Sequence, residues 1–325
     1  PDAAMLDEIE RDRPVILWTI DGHGAWANSK ALEVAGVTRD TPEPVPGFSF
    51  FERDAKGDPT GWIIEIPAVL QVLGELVEVD ANYIAAGVDI WLPRFAAAGL
   101  TTIQDLGMGG MPEEEYFPIF VEMEERGDLP IRIQGVYYWN NKEIDPIPEI
   151  QKLRQMFQSE LVKATHLKIN MDGGDDKWNA LYVDGYTDKP DLVAEPIIPF
   201  EIVNDAVRRA DGLGIDTACH CFGDLAVRRM LDAIELAAEV NPTRDRRHIV
   251  THATLVHPVD RSRFAELGAI WDSTGAWMSL DPLLADVSTT RLGAERVATA
   301  FPMNAIHDAG GAISFGADWP VSGYV

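Results

Sequence analysis

The sequence predicts an α/β protein of the (β/α)8 barrel type, and three observations support this. Short β-rich runs alternate with amphipathic helical patterns along most of the chain, which is typical of βαβ units around a parallel sheet. The predicted strands are almost entirely apolar, as expected for strands that are covered on both faces. The 325 residues exceed the roughly 250 of an ordinary barrel of this type and leave room for insertions.

Seven strand–helix units can be assigned from runs rich in Ile, Val and Thr and from the helical patterns between them. The predicted strands are Thr101–Gln104, Ile131–Tyr137, His166–Met171, Ile215–His220, His248–His252, Ala269–Asp272 and Ala312–Phe315. The predicted helices are Asn82–Ala98, Glu113–Arg126, Ile147–Gln158, Phe200–Leu213, Asp224–Val240, Pro258–Leu267 and Leu292–Asp308. The barrel is therefore incomplete by one strand, which is either Val15–Ile20 or upstream of Pro1. A doubly wound open sheet is the alternative, but the glycine-rich phosphate-binding turn typical of that fold is absent.

The segment 37–79 interrupts this alternation. Phe48–Arg53 and Gly61–Glu65 flank a short turn, which predicts a β-hairpin. A helix over residues 67–77 is predicted to follow. We interpret the segment as an insertion in one barrel unit that spans residues 1–325, and not as a separate domain.

Composition and charge exclude several classes of function. The formal net charge is −26, and such a field repels nucleic acid and anionic lipid. No run of about 20 apolar residues is present, so the sequence predicts no membrane span. The two cysteines, Cys219 and Cys221, are too few and too close for a disulfide framework, which favours a reducing, cytoplasmic setting. We expect a small-molecule partner, neither nucleic acid nor a membrane, and leave a homo-oligomer open.

Polar residues occur at the carboxyl ends of the predicted strands, where barrel enzymes carry their chemistry. Lys168, His220, His252 and Asp318 lie on or after four different strands. Imidazole and carboxylate are ligands that zinc and related divalent ions prefer. An ammonium group cannot bind a cation, but a lysine that has reacted with carbon dioxide presents two carbamate oxygens. Each residue alone has a packing alternative, such as a core histidine or a turn-capping aspartate, but together they predict a divalent metal site.

Two further residues at strand ends are candidates for substrate contact. Trp139 follows the second predicted strand, and Asp172 follows the third. Because the carboxyl ends of parallel strands meet at the same edge of a barrel, we expect both side chains near the metal site.

Short motifs run in a fixed order over nearly the whole chain. They are Asp21-Gly22-His23, Asn28-Ser29-Lys30-Ala31-Leu32, Pro59-Thr60-Gly61 with Glu65, Gly99-Leu100-Thr101-Thr102, Leu167-Lys168-Ile169-Asn170-Met171-Asp172-Gly173, His220-Cys221-Phe222-Gly223-Asp224, Arg247-His248-Ile249-Val250-Thr251-His252-Ala253, His257-Pro258, and Gly316-Ala317-Asp318-Trp319-Pro320-Val321. As an ordered set, these motifs resemble the amidohydrolase superfamily, specifically its amidohydrolase-3 branch, which includes N-substituted formamide deformylases and is related to D-aminoacylases.

The resemblance implies a distorted (β/α)8 barrel beside a small β-sandwich that is built from both chain ends. It implies that Lys168 is a carboxylated bridging ligand and that His220 and His252 bind a second metal ion. Asp318 would bind metal and handle the proton, and His23 would lie near the substrate.

The implied function is hydrolysis of a carbon–nitrogen bond, in a non-peptide amide or an N-formyl group, by metal-activated hydroxide. The implied cofactor is a divalent metal, Zn²⁺ by expectation, as one or two ions. Two alternatives stay open: an inactive barrel or binding protein that lacks a complete metal site, and a deaminase or cyclic-amide hydrolase on the same site.

The sequence departs from the family pattern at three places. The family's opening His-x-His pair and most of its sandwich are absent, and we expect them upstream of Pro1 and after Val325. The run 272–277 replaces a frequent Gln-Pro with a following His, so we expect different substrate contacts there. Thr251 replaces a frequent Glu beside the fifth-strand histidine, which weakens the support of that ligand. From the missing His-x-His pair we expect a fragment of a longer enzyme that, by itself, binds metal poorly and is inactive.

Overall fold

The computed structural model describes residues 2–19, 22–107, 111–278 and 282–323. The chain divides into two units, Pro1–Asp80 and Ala81–Val325. Ile20, at the end of the candidate eighth strand, and Asp21, in the first motif, lie outside the described residues. Within the described ranges, no helix is both long and apolar enough to cross a membrane.

The first unit contains a four-stranded antiparallel sheet in the order β1-β2-β4-β3. Its described elements are α1 (Ala3–Asp7), β1 (Ile16–Trp18), β2 (Gly24–Ala27), α2 (Ser29–Val34), β3 (Phe50–Arg53), β4 (Pro59–Ile64) and α3 (Ile66–Leu76). β3 and β4 form the predicted hairpin, and Gly57 takes a φ of 86° in its turn. The segment Val15–Ile20 does not supply an eighth parallel strand, and that prediction is wrong. β1 pairs antiparallel with β2 because the few residues between them are too short for a parallel crossover.

The second unit is built on a parallel sheet of seven described strands. They are β5 (Thr102–Gln104), β6 (Arg132–Trp139), β7 (Val162–Asn170), β8 (Asp216–Cys221), β9 (Ile249–His252), β10 (Ile270–Thr274) and β11 (Ala312–Gly316). They follow one another in chain order across the sheet, and each pair is parallel. Each of the seven predicted strands overlaps one of them, so the α/β architecture is confirmed.

The helices of the second unit agree with the predictions except at Pro258–Leu267 and near the chain's end. They are α4 (Ala81–Ala97), α5 (Glu113–Arg126), α6 (Pro146–Met156), α7 (Phe200–Gly212), α8 (Asp224–Val240), α9 (Arg263–Leu267), α10 (Pro282–Leu292), α11 (Ala294–Val297) and α12 (Met303–Asp308). The single helix predicted at Pro258–Leu267 is wrong: a 3₁₀ turn, Pro258–Asp260, precedes a separate short helix, Arg263–Leu267. The single helix predicted at Leu292–Asp308 is also wrong. Gly293 (φ 81°) ends α10, and Phe301 takes a φ of 51° before Pro302, which cannot continue a helix because it lacks an N–H group.

The sheet is curled, and contacts between its two edges show this. In a flat sheet, β7 and the end of β11 would lie about 19 Å apart, at about 4.8 Å per strand. Burial lowers the pKa of Lys168 on β7, and the charge of Asp318, after β11, acts on that pKa in the opposite direction. Trp319 also lies 4.9 Å from Trp91 and 5.2 Å from Phe95 between ring centroids, on the helix that leads into β5 at the other edge. The carboxyl ends of the strands therefore face a common space.

Candidate functional site

Two buried imidazoles meet at the carboxyl ends of β8 and β9. The ring centroids of His220 and His252 are 4.4 Å apart with an interplanar angle of 63°. In the strand register, His220 pairs with Thr251, so regular alternation would turn His252 to the opposite face. His252 instead takes a φ of 67° and Ala253 a φ of 32°. Such values are strained for residues other than glycine and cluster at functional sites, so the strained turn points to a site here.

Lys168 lies on the same face of the sheet, deeper along β7. Asn170 is the register partner of His220, and Lys168 precedes Asn170 by two residues, which is one pleat of the strand. Its side chain is 5% exposed. Burial lowers the pKa of Lys168, and nearby acidic groups such as Asp318 and Asp272 oppose this only in part. The environment therefore favours the neutral amine more than water does.

Two aspartates contribute acidic groups from β10 and β11. Asp318 follows β11 with a φ of 49°, and its carbonyl accepts a hydrogen bond from the Val321 N–H at 2.8 Å. Burial raises the pKa of Asp272, while a 2.5 Å hydrogen bond from the Ser314 hydroxyl and the charge of Lys168 lower it. The site therefore combines one buried amine, two imidazoles and two carboxylates from five neighbouring strands.

These residues fit a divalent metal ion in part. The two neighbouring imidazoles have the chemistry and the proximity of metal ligands. Within the described residues, however, no three His, Cys, Asp or Glu side chains are arranged to hold one ion, so Asp318 is not grouped with both histidines. A third ligand, an oxygen beside the two imidazole nitrogens, would come from Lys168 after its reaction with carbon dioxide, and the lowered pKa of that amine favours this reaction.

Asp172 organises the backbone beside His220. Its side chain is fully buried and accepts hydrogen bonds from the N–H groups of Phe222 (2.8 Å), Gly223 (2.9 Å) and Leu181 (2.9 Å). One carboxylate oxygen lies 3.7 Å from Nε2 of His220. A Cβ atom at Gly223 would lie 2.0 Å from the Leu181 carbonyl oxygen, so only glycine permits this close approach. These hydrogen bonds indicate that Asp172 holds the backbone at Leu181 and at Phe222–Gly223 in place. They do not support the predicted contact of Asp172 with the substrate.

Trp139 is placed in the hydrophobic core. Its side chain is 1% exposed, and its Nε1–H donates to the carbonyls of Asn141 and Ile144 at 2.8 and 3.0 Å. A fully buried indole with a satisfied N–H presents no surface to a ligand. This placement does not favour the predicted contact with substrate.

His23 belongs to the first unit and is paired there with Glu65. Its Nδ1 lies 2.8 Å from the Glu65 carboxylate, and its carbonyl accepts the Glu65 N–H at 2.8 Å. Glu65 is 2% exposed and takes a φ of 66°, which is strained for this residue. The sequence motif singled out His23, but it contained no signal that Glu65 would hold its ring.

Comparison with known proteins decides the family. A model described as "Amidohydrolase family" matches residues 1–325. The chain belongs to the amidohydrolase family. The resemblance inferred from the ordered motifs is confirmed.

The amidohydrolase relatives are longer than this chain. It is 28% identical over 273 residues to the exoenzymes regulatory protein AepA of Pectobacterium carotovorum subsp. carotovorum, covering 82% of this chain and 56% of that protein. It is 26% identical over 277 residues to the N-substituted formamide deformylase of Arthrobacter pascens, covering 82% of this chain and 49% of that protein. The chain thus spans about half the length of the curated relatives it matches.

The fold is similar to a solved structure of an uncharacterized metal-dependent hydrolase from Pyrococcus horikoshii OT3. The TM-score is 0.71 at 20% sequence identity, covering 100% of this chain and 60% of that chain. At this identity the likeness concerns the fold alone.

Proposed function

We propose that the protein carrying this chain is a metal-dependent hydrolase that cleaves a carbon–nitrogen bond in a non-peptide amide or N-formyl compound. The observation that carries the proposal is the strained pairing of His220 and His252 next to the buried amine of Lys168. Membership of the amidohydrolase family and the similarity to a formamide deformylase support it.

Lys168, His220 and His252 would hold the divalent ion, for which zinc is our expectation. When bound, such an ion lowers the pKa of water to about 7 and polarises a carbonyl group. Lys168 contributes as an acceptor of carbon dioxide: its neutral amine forms an N–C bond, loses a proton and becomes a carbamate. Burial favours this step because it lowers the pKa of the amine.

Asp318 handles the proton. A carboxylate oxygen of Asp318 accepts a proton from the attacking water and passes it to the nitrogen of the leaving amine. Asp172 keeps the backbone around His220 in place through its three amide hydrogen bonds. Contact of His23 with the substrate stays a prediction; within the first unit its ring is paired with Glu65.

We further propose that the curled sheet is part of a distorted (β/α)8 barrel in the complete protein, with the family's His-x-His pair supplied by residues outside this chain. The proposed partner is a small-molecule amide. A cytoplasmic location, the absence of nucleic-acid and membrane partners, and a homo-oligomer stay predictions.

The proposal is tested by parallel assays on the complete protein and on residues 1–325 alone. Metal content is measured together with turnover of N-formyl amines, other amides, cyclic amides, dipeptides and amino-substituted heterocycles. We expect the complete protein to contain metal and to hydrolyse the N-formyl or open-chain amides, and we expect little metal and little hydrolysis from residues 1–325 alone. His220→Ala and His252→Ala should lose both, whereas His307→Ala, at an exposed position on α12, should keep both. Undiminished metal and turnover in the first two variants would contradict the site, and turnover confined to dipeptides or heterocyclic amines would contradict the substrate class.

A second candidate is a binding or regulatory protein on the same scaffold. It is favoured by the lack of a three-ligand His, Cys, Asp or Glu group among the described residues, and one relative is named a regulatory protein. A complete, folded protein that binds no divalent metal and turns over no amide would support this candidate.

A further inference from the structure

Trp277 stacks on one of the candidate ligands. It lies in the 3₁₀ turn Gly275–Met278, directly after β10. Its indole is nearly parallel to the imidazole of His252, with an interplanar angle of 12° and centroids 5.2 Å apart. Its Nε1–H donates to the hydroxyl of Ser322 at 3.0 Å, four residues beyond Asp318. Trp277 therefore connects the ends of β9, β10 and β11.

The stacking leaves part of the indole face available. Rings in direct contact are about 3.5 Å apart, so a centroid separation of 5.2 Å means that the two rings are offset sideways. The lone pair of an imidazole nitrogen lies in the ring plane. A group bound at a nitrogen of His252, in the plane of that ring, therefore lies in a plane nearly parallel to the indole. Phe222, after β8, adds a second ring 6.4 Å from Trp277 at 48°.

Trp277 differs from the core tryptophans of the same unit. Trp139 and Trp271 are at most 1% exposed, and each donates its indole N–H to backbone carbonyls. Trp277 is only half-buried, and its N–H is held by a side-chain hydroxyl. A residue that only filled the core would not keep an indole face at the strand ends beside two candidate ligands.

We propose that Trp277 determines substrate specificity and positions His252. Its offset face, together with Phe222, binds a flat conjugated group attached to the scissile amide, and its stacked face fixes the plane of the His252 ring. The proposal rests on the amide hydrolysis proposed above, because the flat group is taken to belong to that amide. Stacking between aromatic rings corresponds to roughly two- to tenfold in affinity beyond burial of the same area.

Two ligands of similar size, one flat and one not, distinguish stacking on Trp277 from simple filling of the pocket. N-Phenylformamide and N-cyclohexylformamide have six-membered rings of similar bulk, but only the first is flat. Turnover is measured on the complete, metal-loaded protein, and binding to the metal-stripped protein is measured by tryptophan fluorescence and calorimetry. The variants are Trp277→Leu and Trp277→Phe, and Trp18→Phe, at an exposed strand position of the first unit, is the control.

We expect Trp277→Leu to raise KM and weaken metal-free binding for the phenyl compound by roughly two- to tenfold relative to the cyclohexyl compound. Trp277→Phe should retain part of this preference, and Trp18→Phe all of it. An equal effect of Trp277→Leu on both compounds, or an unchanged preference, would overturn the proposal. If Trp277→Leu does not fold, the same comparison is made with Trp277→Phe. If the unmodified protein hydrolyses neither formamide, the hydrolase proposal fails separately, and the binding preference still decides the role of Trp277.

Discussion

Two buried polar clusters lie at opposite ends of strands β8 and β9. One favours the charged form of its central residue, and the other favours the neutral form. At the amino ends, Asp211 accepts hydrogen bonds from Arg244 (2.9 Å), Arg246 (2.9 Å) and Asn241 (2.8 Å), and Nε2 of His248 lies 3.4 Å away. Burial alone would raise the pKa of Asp211, but these hydrogen bonds and charges lower it well below its usual value. The amino-end cluster therefore stabilises the charged form of its central residue.

At the carboxyl ends, the effect of burial on the pKa is larger than the effect of the neighbouring charges. Lys168 is as deeply buried as its neighbours, yet burial outweighs the acidic groups around it and lowers its pKa. The backbone is strained at His252, whereas no residue of the Asp211 cluster has a positive φ. The difference teaches that buried polar groups in one fold can be arranged to stabilise a charge, as at Asp211, or to favour the neutral form, as at Lys168.

The largest expected effect follows from replacing Lys168 with Met. We expect turnover of the complete protein to fall by about a thousandfold or more, because the third metal ligand is lost. The free energy of unfolding should stay constant or rise, because a buried amine is replaced by an apolar side chain of similar length. Steady-state kinetics and urea unfolding measure the two quantities. If Lys168→Met keeps its turnover or loses much stability, the proposed difference between the amino-end and carboxyl-end clusters is wrong.

Replacing Asp211 with Ala tests the other end. The change leaves two arginines facing each other without their shared carboxylate, and we expect a loss of about 3–5 kcal/mol in the free energy of unfolding. Because the pKa of Asp211 is lowered in the folded protein, its ionised carboxylate contributes fully to the free energy of unfolding above the ordinary pKa of 3.8. This contribution disappears as the pH falls further. Turnover per folded molecule should not change. The control is Asp245→Ala, which removes an exposed partner of Arg247 and should alter the free energy of unfolding little. An equal loss of stability in Asp211→Ala and Asp245→Ala would contradict the account.

A smaller effect is expected at Glu113, at the start of α5. Burial raises the pKa of Glu113 to about 7, and its carboxylate accepts the Tyr138 N–H at 2.9 Å. Because the folded pKa exceeds the ordinary value of 4.5, stability should fall by about 2–3 kcal/mol as the pH rises from 4.5 to 7. Other buried carboxyls with a raised pKa, such as Asp272, add to the same fall, so Glu113→Gln should reduce it by about 2–3 kcal/mol, whereas Glu114→Gln, at the exposed next position, should preserve it in full. Unfolding measured across this pH range decides; an unchanged slope in Glu113→Gln would show that the buried carboxyl is not its source.

Sequence patterns predicted the elements more reliably than the geometry of the site. The parallel strands were recognisable because apolar runs ending in glycine-bounded helices have a local signal. The strand-end positions of Lys168, His220 and His252 followed from the same signal. The positive φ of His252 could not be predicted, because the strain depends on packing that forms only in the folded sheet. Alternation alone placed Thr251, and not His252, on the face of His220.

The two predicted substrate contacts that gain no support from the structure, at Asp172 and Trp139, have a common physical origin. Asp172 and Trp139 are polar or aromatic residues at strand ends, so position alone suggested contact with a substrate. Whether such a residue faces a pocket depends on backbone groups distant in sequence, such as the Phe222 N–H, which donates a hydrogen bond to the Asp172 carboxylate. The sequence indicates Trp277 only as part of the run 272–277 and predicts no role for its side chain, because an aromatic residue in an irregular turn has no periodic pattern to reveal its stacking on His252.

The most direct test of the central claim is detection of a carbamate on Lys168. The complete protein is reconstituted with metal in the presence of ¹³C-labelled bicarbonate and analysed by ¹³C NMR and intact-mass spectrometry. The account predicts one labelled carbamate per chain, absent from Lys168→Met and present in the exposed-site control His307→Ala. A metal-loaded, active protein whose Lys168 carries no carbon dioxide would contradict it.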